Sequence, residues 1–309
     1  MTKFWEAFGG KLAESWIAAL VAPAAVFWAA GFGAWVLDRG WDRSGKRLGD
    51  WFSALSATEQ GLLAVGGLLG LAGLAAVIST LVPAVLRLLE GYWPPWVRFL
   101  WPVAHIRSRH IGKAERRLQD LMRQRQERGG QLGVAEQAEY VRLDVDLRRV
   151  PTDAASRLPT KLGNTLRAAE LFPTAKYGLD TAIIWPRLWL VLSDDAREEI
   201  TNARQQLDQS ITVWIWGLLL FVWVLLTSWA ALVALIVVAF AYWRAVTTAE
   251  IYGDLVESAF DLERFELYGQ LRVPAPKDSG GEVAVGEALT RYLWRGEGPI
   301  TFTKTDSDT

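Results

Sequence analysis

The chain has no cysteine, only two histidines and only two methionines. Without thiols it offers neither a disulfide framework nor a thiolate nucleophile, and its compartment is left open. His105 and His110 are five apart, so they do not share a helix face as an i, i+4 metal pair would, and no zinc ligand set accompanies them. No Ser-His-acid spacing suggests a triad, so the expectation is a protein that is not an enzyme and needs no cofactor. Strand-type alternation and fixed-period repeats are also missing. Gly40 to Arg47 comes within one residue of a phosphate loop, but Arg47 stands where the magnesium-binding Ser or Thr is needed, and no strand precedes it.

Another lack decides the class: Ile211 to Trp243 contains no Asp, Glu, Lys or Arg. A single helix over that run would be ~50 Å long, against a hydrocarbon core of roughly 30 Å. Folding back at Thr227-Ser228-Trp229 gives two spans, 211–227 and 229–245. It puts Trp214, Trp216 and Trp243 at one lipid-water interface and Trp229 at the other. Trp16 to Leu37 and Gly61 to Leu86 are likewise free of charge and long enough to cross. Lys3 and Lys11 before the first of these resemble a signal peptide, but Phe27, Trp28 and Trp35 occupy the place of a small-residue cleavage site. The reading is a retained anchor.

With 22% charged residues and a mean hydropathy of +0.14, the rest must be soluble. The expected fold is all-α: a polytopic membrane protein with four transmembrane helices and a helical cytoplasmic domain. Arg87, Arg98, Arg107, Arg109 and Lys113 follow the second span, whereas the turn at 227–229 has no basic residue. This puts the middle segment and both termini in the cytoplasm, here of a bacterial inner membrane, although Arg39, Arg43, Lys46 and Arg47 in the first loop pull the other way.

The insert 91–210 opens on an interfacial elbow with Trp93, Trp96 and Trp101 as anchors between prolines. Helices His105–Arg128 and Val134–Arg149 follow as an antiparallel pair across Gly129-Gly130. Segment 158–192, punctuated by Pro159, Pro173 and Pro186, reads as short helices and turns. Ser193-Asp194-Asp195 reads as a helix start. An acidic helix, Thr247 to Leu271, and a C-terminal extension complete the region 247–309.

Glu250, Asp254, Glu257 and Asp261 lie at i, i+4, i+7 and i+11, an acidic stripe on one helix face. Around an oligomer axis such stripes would ring a cation vestibule. The more ordinary reading is a solvated face, or one paired with arginines. Arg116, Arg117, Arg123, Arg125 and Arg128 make the hairpin basic and offer themselves as that partner, or as a contact for lipid headgroups. No recognition motif joins this charge to nucleic acid. Gly66, Gly70 and Gly73 mark a helix-packing face, within one subunit or between subunits.

No span has an ionisable residue in its middle, which argues against ion-coupled transport and voltage sensing. The functional expectation is an oligomeric ion channel or pore with an acidic cytoplasmic vestibule. The alternative is a non-conducting membrane scaffold or sensor that recruits a soluble partner. The strings Leu158 to Asn164, Tyr177 to Asp180 and Tyr292 to Gly296 are distinctive but suggest no activity.

Overall fold

The computed structural model describes residues 23–36, 46, 49–93, 101–298 and 300–302. Among these every regular element is helical. In chain order they include α1 (Pro23–Val36), α2 (Ala57–Glu90), α3 (Trp101–Glu127), α4 (Val134–Arg148), α5 (Lys161–Tyr177), α6 (Thr181–Val191), α7 (Asp194–Leu219), α8 (Trp229–Gln270) and α9 (Ser279–Arg295). Three stretches are long and apolar enough to cross a membrane: α2, α7 with the 3-10 turn that extends it to Leu225, and α8. The part of the first predicted span before Pro23 lies outside the described residues, as do Trp96 and the middle of the elbow.

Contacts divide the chain into an apolar unit, 1–86 with 208–245, and a charged unit, 87–207 with 246–309. In the apolar unit α7 gives way to the 3-10 turn Leu220–Leu225, and α8 begins at Trp229. Gly217 meets Val237 and Val238, so positions equidistant from Thr227 face each other and the chain doubles back there. Phe27 packs on Trp216 and Trp223 with ring centres 5.3 and 5.2 Å apart, and a Cβ on Gly31 would overlap the Trp223 indole. Outside this aromatic knot α2 exposes Leu62, Val65, Leu68 and Leu69, and α8 exposes Leu232, Leu235 and Ile236.

The ends of α2 show why it outruns its apolar stretch. Ser56 and Glu59 form a reciprocal capping box, with Ser56 N–H donating to Glu59 at 2.8 Å and Glu59 N–H to the Ser56 hydroxyl at 3.3 Å. At the other end Gly91, at φ +104°, lets the Gly91 and Tyr92 N–H groups return to the Arg87 carbonyl.

The charged unit is built on Tyr177, Leu179, Ile184, Leu188, Leu192, Ile200, Val256, Phe260, Leu267, Tyr268 and Leu289, all buried. Segment 158–192 is more regular than its prolines suggest. Pro173 and Pro186 lie inside α5 and α6, because burial of the helices outweighs local proline cost. The distinctive strings are the joints of this unit. Asn164, fully buried, accepts from Leu158 N–H at 2.8 Å and donates to the Leu158 and Thr160 carbonyls at 2.7 and 2.9 Å. Thr160 caps α5 through Gly163 N–H and donates to the last carbonyl of α2, Glu90, at 2.9 Å. Gly178, at φ +70°, ends α5, and Asp180 caps α6. Thr290 of α9 clasps this corner, donating to the Gly178 carbonyl and accepting from Asp180 N–H, both at 3.2 Å.

A Cβ on Gly163 would overlap the Glu90 carbonyl oxygen, and one on Gly286 that of Tyr177. Backbone atoms cannot yield as side-chain tips can. Gly163→Ala and Gly286→Ala should therefore each cost about 1–3 kcal/mol or more in denaturant unfolding of the full chain. Gly269→Ala, where a Cβ meets open space, should cost nothing measurable.

Candidate functional site

The acidic stripe occupies the C-terminal half of α8, within the charged unit. It is a seam rather than an open face. Glu250 is paired with Arg149 and, at 3.1 Å, with Lys161. Arg149 also reaches Asp254 at 3.4 Å, and Arg148 reaches Glu257 at 3.0 Å. Lys176 meets Asp261 at 3.0 Å, and the Tyr177 hydroxyl donates to the same carboxylate. Four carboxylates thus stand against four cations of the same chain.

The geometry follows from two helices laid side by side. Lys161 opposes Glu250, Ala169 opposes Gly253 and Lys176 opposes Asp261, so α5 and α8 run in the same direction. A Cβ on Gly253 would lie 3.0 Å from that of Ala169, so the missing side chain sets how closely the helices approach. The end of α4 supplies Arg148 and the C-cap residue Arg149 from the adjoining side.

Burial is uneven along the seam. The Glu250 and Glu257 side chains are 20% and 12% exposed, that of Asp254 56%. For Asp261 burial alone would raise the carboxyl, but the Tyr177 hydroxyl and Lys176 outweigh it and hold the group below the usual range. Arg148 is held above its ordinary value chiefly by its hydrogen bond to Glu257.

A second charged pair closes the end of the seam. Arg264 donates to Glu282 of α9 at 2.7 Å, with both side chains nearly buried, and its guanidinium lies 4.3 Å from the centre of the Tyr177 ring. Beside it Tyr268 is fully buried, and its hydroxyl has no partner among the described residues. Burial first, and the Glu282 charge second, push that phenol up to about 12.

The hairpin arginines are not the stripe's partners. Arg117 binds Glu139 through two bonds of 3.0 and 2.7 Å, Arg123 pairs with Asp120 at 2.9 Å and Arg128 with Glu136 at 2.8 Å. Arg125 lies 5.5 Å from the Tyr140 ring centre, and Arg116 is exposed. Sequence reasoning missed Arg148, Arg149, Lys161, Lys176 and Tyr177. Their signals were position, a basic pair ahead of Pro151 and two lysines at the ends of a helix, and, for Lys161 and Tyr177, a place in two of the distinctive strings.

The predicted anchors have different fates. Trp229 and Trp243 are exposed, Trp214 is half-buried, and Trp216 turns inward onto Phe27. Trp93 donates its indole N–H to the Leu88 carbonyl at 3.0 Å, and Trp101 is placed by its backbone as the first residue of α3. Gly66, Gly70 and Gly73 meet no atom within 4 Å of their Cβ positions among the described residues. The described residues hold no His, Cys, Asp and Glu grouping able to bind a metal.

Three measurements check the seam. A double-mutant cycle on Arg149 and Glu250 should give a coupling of about 0.5–3 kcal/mol, whereas the exposed Arg123–Asp120 pair should give almost none. Arg264→Met, which leaves Glu282 buried and unpaired, should cost about 3–5 kcal/mol, much of it recovered by adding Glu282→Gln. Because the folded-state pKa of Asp261 is lowered, its contribution is present above the unfolded value and lost as pH falls. Acid titration of the full chain should therefore destabilise the native protein more steeply than Asp261→Asn. Compared with known proteins, the chain matches no family model, no curated protein and no solved structure.

Proposed function

We propose that this protein is a four-pass membrane scaffold or sensor that does not conduct ions, with both termini in the cytoplasm and a helical domain that recruits a soluble partner. The observation that carries the reading is the neutral seam. A vestibule needs unpaired carboxylates facing water, and each of the stripe's carboxylates is paired with one of Arg148, Arg149, Lys161 and Lys176, even at Asp254 and Asp261, which keep 56% and 40% exposure. The four passes comprise the first span, described from Pro23 to Val36, together with α2 and the two arms that meet at 226–228. Lys and Arg beside the spans set the orientation.

The second reading is an oligomeric pore, and the bare glycine face of α2 favours it. Gly66, Gly70 and Gly73 leave a surface on which another copy could pack closely.

A chain without cysteine suits single-cysteine labelling. In intact cells a membrane-impermeant maleimide should label Ser53→Cys and Ser228→Cys, and should label Ser258→Cys only after permeabilisation. Labelling of Ser53→Cys and Ser228→Cys from opposite sides would end the four-pass topology. In planar bilayers the folded, reconstituted protein should be silent. Unitary currents reduced by Glu250→Gln with Asp254→Asn would replace the scaffold reading with the pore.

A further inference from the structure

The basic charge of α3 is divided between two faces with different fates. Ile111 and Leu121 are buried, and Ala114 and Leu118 are half-buried beside them. At 100° per residue these four lie on one side of the helix, and Arg109, Lys113 and Arg116, spaced i, i+4 and i+7, lie on the other. All three are exposed, and none of their side chains makes a salt bridge or hydrogen bond among the described residues. This distinguishes them from Arg117, Arg123 and Arg128, whose charge is answered by Glu139, Asp120 and Glu136. At the edge of the same face Ile106 is 56% exposed.

We propose that this outer face of α3, carrying Arg109, Lys113 and Arg116 with Ile106 at its edge, is a docking surface for anionic lipid headgroups. Phosphate-bearing headgroups fit it for three reasons. The three cations span about 10 Å of helix, a surface reading rather than a single pocket. Lys and Arg stems carry apolar length beneath their charges, and with Ile106 they suit the boundary between headgroup and acyl chain. And α3 follows α2, a helix apolar enough to cross a membrane, after a short connection that includes Trp93. The proposal rests on the membrane reading given above and adds which residues meet the lipid.

The test uses the full chain with Ile106→Cys, its only cysteine, labelled with a fluorophore and reconstituted into nanodiscs whose acyl chains carry a quencher. With equimolar phosphatidylglycerol and phosphatidylcholine the label should be strongly quenched. With phosphatidylcholine alone, or at 1 M salt where the Debye length is about 3 Å, quenching should fall several-fold. Adding Arg109→Gln, Lys113→Gln and Arg116→Gln should reproduce that loss in the anionic discs, while the paired control Arg123→Gln should not. Quenching that ignores lipid charge, or that survives the triple substitution, overturns the proposal while leaving the membrane reading intact. An acidic protein that protects these residues when anionic lipid does not would reassign the surface and also overturn it. Failure of well-folded protein to enter nanodiscs at all would sink the membrane reading, and the proposal with it.

Discussion

Like charges a helical turn apart repel, so Glu250, Asp254, Glu257 and Asp261 on one face of α8 favour any packing that brings cations against them. That pairing organises the charged unit. Lys161 and Lys176 at the two ends of α5 align it along α8, and Arg148 and Arg149 draw in the end of α4. Small residues do the rest, since Gly253 against Ala169 lets the two backbones approach closely. The ion pairs fix register and the apolar core beneath them supplies most of the stabilisation, because partly exposed pairs contribute little individually.

Much of this could be read in the residues themselves. Two of the three charge-free runs, Gly61 to Leu86 and Ile211 to Trp243, led to the three helices long enough to cross a membrane, and Gly129-Gly130 and Ser193 mark where helices stop or start. The stripe's four positions were legible too, because they follow from spacing alone. What spacing could not supply was the partner. Arg148 and Glu257 are far apart in sequence, and the charge count pointed instead to the hairpin arginines, which Glu136 and Glu139 had already claimed across a short loop. Local pairing wins there because little chain entropy is lost in closing a hairpin.

The proline-punctuated segment forms the expected helices and turns, but its helices run through two of the prolines, for a related reason. Pro173 and Pro186 each remove one backbone hydrogen bond, a local cost plain in the sequence, while the burial that offsets it comes from α8 and α9. Strings such as Leu158 to Asn164 are distinctive yet suggest no activity, and their bonds say why: Asn164 turns its amide to its own loop, and Thr160 caps one helix while closing another. A distinctive motif without an unsatisfied reactive group is more economically explained as a joint.

The acidic face of α8 is paired by cations of its own chain, and most tightly covered at Glu250 and Glu257. Carboxyl footprinting with a carbodiimide and an amine, read by mass spectrometry on folded full-length protein, addresses it residue by residue. Glu250 and Glu257, with side chains 20% and 12% exposed, should react far more slowly than Asp194 at 94%. Reaction of Glu250 and Glu257 as fast as Asp194 would contradict that pairing, and would return the stripe to open water.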